Sequence, residues 1–193
     1  DYIVVTDQQN TYLLDRQGKP RDIELKAFIR SGNQTYFVDG GNPRLISTDQ
    51  QGRIHIQDFT GQTQIKELGK FSASHRFTVE DIDGNGSPEY LFAEGKKLTV
   101  FGTDDMIKFE RSFPDVITEA PIVSNPVPGV TRIGIVTKGD NKIYLLDDKG
   151  AIVWGFPLTG NTAFTFGKFN DASSYFNLLV GSEDGTLINY KIE

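Results

Sequence analysis

The sequence predicts an all-β fold, a β-propeller of about four to five blades with four antiparallel strands each, and three observations predict it. The string YLLDRQG at Tyr12 returns as YLLDDKG at Tyr144, 132 residues later, which is three times 44. The string TDQQ at Thr6 returns at Thr48, 42 residues later. No apolar stripe at helical spacing interrupts the strand-like runs between these echoes. A period of this length, built from strands and tight turns, is that of a propeller blade.

Five segments follow one plan in chain order. They start at Ile3, Leu45, Tyr90, Ile133 and Asn177. Each opens on a short apolar run, passes through a polar turn carrying Asn, Gly or Asp, and returns as a second alternating strand, the pattern of a hairpin. Aligning Thr6, Thr48, Ala93, Val136 and Gly181 gives spacings of 42, 45, 43 and 45 residues. A further apolar stretch follows each hairpin in units two to four: Ile65 to Leu68, Ile107 to Phe113, and Ala151 to Leu158. Another precedes it, as in Phe77-Thr78-Val79 and Phe164-Thr165-Phe166. Four strands per unit result, in repeat units spanning approximately residues 1–25, 26–70, 71–115, 116–160 and 161–193. By this count the first unit lacks its innermost strand and the last ends after its third. The expectation is a segment of a larger propeller, whose open blade edges invite self-association.

Composition supports strands over helices and narrows the function classes. Fourteen Phe and seven Tyr stand against one Met, and 20 Gly and eight Pro are scattered as turn punctuation. The formal net charge of −6 disfavours nucleic acid, which demands a basic surface. No apolar run is long enough for a transmembrane segment. The absence of Cys excludes disulfides and thiolate-based metal sites.

YLLDDKGAIVWGFPL, from Tyr144, resembles the repeat of quinoprotein-type (PQQ-like) propellers, in which Asp-x-x-Gly turns the chain and Trp packs between blades. VEDIDGNGSPEYLFAEGKKL and GKFNDASSYFNLLVGSEDGTL resemble FG-GAP propeller repeats. The resemblance covers essentially the whole chain and implies a bacterial, extracytoplasmic protein of the periplasm or cell surface. It is specific for fold and not for activity, because such propellers serve as enzymes, adhesins and assembly scaffolds.

One loop carries chemical content. Asp81, Asp83, Asn85, Ser87 and Glu89 place oxygen-bearing side chains at alternate positions, with Gly84 and Gly86 allowing a tight turn. Hard oxygen ligands on such a loop suit calcium, and Ser87 could add a backbone carbonyl. The pattern resembles the calcium loop of FG-GAP repeats and the first half of an EF-hand loop, although Phe92 stands where an EF-hand carries its last Glu. The competing reading is a turn capped by its own Asp and Asn side chains, with no ion. The corresponding segments Phe169–Tyr175 and Val127–Thr131 lack the acidic spacing, so the array offers at most this one ion site.

Other candidates read as structural. His55, between Ile54 and Ile56, is expected to face solvent or a blade edge. His75 opens an inner strand, the one position from which a histidine could act in a central channel. Trp154 is expected to pack between blades; Phe164, Phe166 and Phe169 to fill the last core; and the pairs Asp104-Asp105 and Asp147-Asp148 to form turns. No nucleophile elbow and no Gly-rich phosphate loop is present. The resulting expectation is a non-catalytic interaction or scaffold module that binds a protein or a glycan. The alternatives are part of an enzyme whose active site lies elsewhere, and an outer-membrane assembly scaffold.

Overall fold

In the computed structural model, which describes residues 2–127, 129–168 and 175–192, every regular element is a β-strand. The strands form five antiparallel sheets. The first pairs β1 (Ile3–Thr6) with β2 (Thr11–Leu14). The second runs β3 (Tyr36–Val38), β4 (Arg44–Thr48), β5 (Ile54–Asp58), β6 (Thr63–Lys66). The third runs β7 (Arg76–Glu80), β8 (Glu89–Glu94), β9 (Lys97–Phe101), β10 (Ile107–Ser112). The fourth runs β11 (Ile122–Val127), β12 (Val130–Thr137), β13 (Lys142–Leu146), β14 (Leu158–Thr159), and the fifth β15 (Thr165–Gly167), β16 (Phe176–Gly181), β17 (Leu187–Ile192). In every sheet, sequence neighbours are spatial neighbours, so each is a simple meander. The chain divides into two compact units, Asp1–His75 and Arg76–Glu193.

Short turns set the register of the hairpins. Asp15, Asp58 and Asp147 each accept two backbone N–H groups on Oδ1, at 2.8–3.0 Å, from residues two and four further on. The glycine three residues after each donates to that Asp's carbonyl and sits at positive φ, +78° at Gly18, +94° at Gly61 and +81° at Gly150. Asp49 does the same inside the β4–β5 hairpin, with Gly52 at +76°. Only glycine reaches this conformation without strain.

The fourth sheet shows how the core is built. Its period-2 alternation sends Ile133, Ile135, Tyr144 and Leu146 to one face, where they meet Ile82, Leu91, Ala93, Leu98 and Val100 of the third sheet and its loops. Val136, Ile143 and Leu145 face the other way and meet Phe164, Leu178 and Val180 of the fifth. Both faces are therefore covered, which is why β13 reads as an unbroken apolar run rather than an alternating one. Gly134 leaves room for the Phe164 ring, whose nearest atom would lie 2.4 Å from an added Cβ. Phe166 packs on this same cluster, while Phe169 lies outside the described residues.

Three expectations are corrected. Ala151 to Leu158 does not form one outer strand: Ile152 makes a single bridge to Leu146, and the strand resumes only at β14. Between them Val153–Phe156 close a turn, with Phe156 N–H bonded to Val153 O and Gly155 at φ +89°. Trp154 occupies the outer corner of that turn and is 95% exposed, so it packs in no interface between these sheets. His55, in contrast, is buried. Its Nε2 bonds Asp49 Oδ2 at 3.0 Å and its ring stacks on Phe28 at 3.6 Å between centroids. Burial holds the imidazole below its ordinary pKa, and the Asp49 contact opposes this without cancelling it.

Three predictions follow from this packing. Gly150→Ala forces a side chain into positive φ and against the Phe109 ring, 2.4 Å from the added Cβ, and should cost about 2–4 kcal/mol in chemical denaturation. Trp154→Ala should change stability by less than ~0.5 kcal/mol. Because folded His55 refuses a proton that the unfolded chain accepts near pH 6.5, its contribution to stability is complete above that pH and lost below it. The melting temperature should fall between pH 7.5 and 5.5, and His55→Gln should flatten that dependence. A wild-type melt unchanged over this interval would contradict the assignment.

Candidate functional site

The acidic loop joins β7 to β8, above the closing pair Glu80 and Glu89. Its turn is capped from within. Asp81 Oδ1 accepts the N–H groups of Gly84 (2.8 Å) and Asn85 (3.1 Å), and Oδ2 accepts that of Gly86 (2.7 Å). Asp83 Oδ1 accepts from Asn85 N–H at 3.1 Å, and Asn85 Oδ1 from Ser87 N–H at 2.8 Å. Gly84 and Gly86 sit at φ +74° and +85°. This geometry aims one carboxylate oxygen each from Asp81, Asp83 and Glu89 at a common point, all within 4.8 Å of one another. Asn85 and Ser87 are thus parts of the same turn, with the Asn85 side-chain oxygen engaged in capping it.

Glu89 is the unusual member, since it is 1% exposed. Oε2 accepts the buried Ile82 N–H at 2.9 Å, and Oε1 accepts from Lys108 Nζ at 3.1 Å. Lys108 also bonds Asp83 Oδ2. Lys108 reaches the loop because it is the extra residue of a β-bulge: Ile107 faces Phe101 and Phe109 faces Val100, leaving Lys108 without a register partner. The lysine hydrogen bond is the main reason the Asp83 carboxyl lies below its ordinary pKa. Burial works against the Lys108 charge, but Asp83 and Glu89 outweigh it and raise the ammonium's pKa. A shallow groove of about 260 Å³ beside the loop is lined by Asp83, Asn85, Glu89, Asp104 and Lys108 among others.

As a test of fit for calcium, the donor set is mixed. Three carboxylates converge, yet an ammonium lies on two of them and the third takes three backbone N–H groups. Calcium needs six to eight oxygen ligands. Sequence reading found the five loop residues but missed Lys108, because no local pattern marks a bulge on a strand 19 residues away from Glu89.

The histidines belong to a separate buried network in the first unit. His75 Nδ1 bonds Ser72 O at 2.7 Å and Nε2 bonds Thr48 Oγ1 at 2.9 Å, so both ring nitrogens are engaged. Thr48 Oγ1 in turn meets Ser31 Oγ at 2.7 Å. Asp49, which sequence reading did not single out, joins Arg53 Nε (2.7 Å) and His55. Its echo with Asp7, which caps the N–H groups of Gln9 and Asn10, was the available signal.

A different surface of the same unit is open. A groove of about 650 Å³ is lined by alternate residues of β1 and its approach, Tyr2, Val4 and Thr6, and by Phe37, Leu45 and Phe59. Tyr2 and Phe59 have ring centroids 4.9 Å apart, and Phe37 meets Phe59 edge-on at 6.1 Å. Gln34, Thr35 and Asp39 add polar groups, Asp39 being the one charged lining residue among the described residues. Among the described residues β1 pairs only with β2, and all four of its residues are exposed.

No protein-family model matches the chain, and no curated protein matches it significantly. Solved structures do resemble it. BBS1N, crystallised in complex with ARL6DN, is 16% identical at a TM-score of 0.57, over 81% of this chain and 49% of that one. Streptogramin B lyase is 16% identical at 0.55, over 99% and 65%. The V. cholerae biofilm matrix protein Bap1 is 16% identical at 0.60, over 98% and 35%. This chain spans about half the length of the BBS1N chain it matches. At such identities the likeness is one of fold: the five meandering sheets are β-propeller blades.

Proposed function

We propose that this chain is a non-catalytic β-propeller interaction module of a larger extracytoplasmic protein, of the quinoprotein-like or FG-GAP type, and that it binds an extended segment of a protein partner. The aromatic groove beside β1, which among the described residues pairs only with β2, carries this reading. An extended peptide laid along β1 would pair with its backbone and drop alternate side chains over Phe37, Leu45 and Phe59, the mode known as β-augmentation. In the second, third and fourth sheets the strand equivalent to β1 already has such a neighbour, namely β3, β7 and β11. The partner's chemistry follows from the lining: apolar residues at alternate positions and a basic residue to meet Asp39.

The reading is supported by the burial of both histidines, His55 on Asp49 through Nε2 and His75 on Ser72 and Thr48 through both ring nitrogens. The fold is shared with BBS1N, crystallised with a protein partner, and with a lyase, so fold alone does not separate binding from catalysis. An extracytoplasmic location draws on the absence of Cys and the repeat resemblance.

Labelled hexapeptides of alternating apolar residues with one lysine should bind in fluorescence anisotropy. Phe37→Ala should weaken that binding at least tenfold, about 1.4 kcal/mol. Retention of neutral oligosaccharides without peptide binding would transfer the groove to a glycan. Concentration-dependent dimerisation abolished by Phe37→Ala would transfer it to a second copy of the chain.

A further inference from the structure

We propose that Lys108 is the resident cation of the Asp81–Glu89 loop: its ammonium stands where a calcium-loop resemblance would put a divalent ion, and it makes the loop independent of calcium. Two observations that do not depend on the loop's own turn geometry point this way. The β-bulge displaces Lys108 from the strand register of β9 and β10, so its side chain is aimed at the acidic cluster rather than left to solvent. Glu89 is buried and ionisable, and its Oε1 bonds that ammonium while Oε2 is taken by Ile82 N–H. A buried carboxylate needs a counter-charge at hydrogen-bonding distance, and Lys108 supplies it.

The coordination arithmetic agrees. Asp81 spends its oxygens on three backbone N–H groups, Asp83 divides its oxygens between Asn85 N–H and Lys108, and Asn85 caps Ser87. A divalent ion would have to displace the ammonium and then find most of its six to eight ligands from water. Without the lysine, three carboxylates within 4.8 Å would face each other with no compensating charge, one of them out of water. Such a cluster should capture a divalent cation. The loop therefore holds a latent calcium site that a single side chain occupies.

The test compares wild type with Lys108→Met, which keeps the length of the side chain and removes its charge. Each is melted in EDTA and in calcium up to about 10 mM, beyond the weak end of extracellular calcium modules. The wild-type melting temperature should not move. Lys108→Met should melt below wild type in EDTA and regain stability with calcium, with one site in calorimetry that Asp83→Asn removes. Wild type binding calcium as tightly as the variant would overturn the proposal. If neither protein responds, Lys108 is an ordinary ion pair and the substitution reading falls. Should Lys108→Met not fold, wild type alone decides: a single calcium site abolished by Asp83→Asn overturns the proposal, and silence over the same range supports it.

Discussion

The array depends on one small device, a carboxylate that holds two backbone N–H groups while a glycine three residues later turns through positive φ. It appears at Asp15, Asp49, Asp58 and Asp147. A register slip of one residue would turn every strand inside out, so something local has to pin the turns before the sheets can stack. The capped turn does this without long-range contacts. It also explains why the sequence echoes survive where they do. TDQQ and YLLD-x-x-G are the strings in which a turn and the strand leading into it are specified together, whereas the outer strands have no such duty and differ freely.

Stacking then decides what the repeated strings mean. Tyr144 is buried because the fourth sheet has a neighbour on each side, and its face meets Leu91 and Leu98 of the third sheet. Tyr12 stands at the matching place in YLLD and is 47% exposed, while the adjacent Leu13 is buried with Leu25 and Leu45. One sequence thus yields two environments. The apolar character of Tyr12, Ile3 and Val5 belongs to a blade pattern built for two covered faces, and in the first sheet that pattern is left showing.

This is also where sequence legibility ends. Hairpins and the self-capped acidic loop were readable because each is encoded within a dozen residues, and the blade period because short strings return every 42 to 45 residues. Lys108 was not, since a bulge is a mismatch between two strands and leaves no mark on either alone. His55 was misread for a related reason: alternation with Ile54 and Ile56 implies an outward face only when one face of a sheet is wet, and β5 has none. Trp154 failed in the opposite direction. The repeat resemblance placed it between blades, but the Gly155 turn lifts it out of strand geometry before it can pack.

The acidic loop and the aromatic groove both accompany departures from the repeat. The acidic loop has a cation because β10 carries one residue too many, and the aromatic groove lies beside β1, which among the described residues pairs with β2 alone. A regular blade satisfies its backbone and hides its apolar face, and so has little left with which to recognise anything. Where the repeat breaks, a backbone edge and an apolar face become available together, as they do along β1. That is the physical argument for seeking recognition at the first sheet. The acidic loop differs, since Lys108 already satisfies its charge, and its role is accordingly to brace the β7–β8 connection.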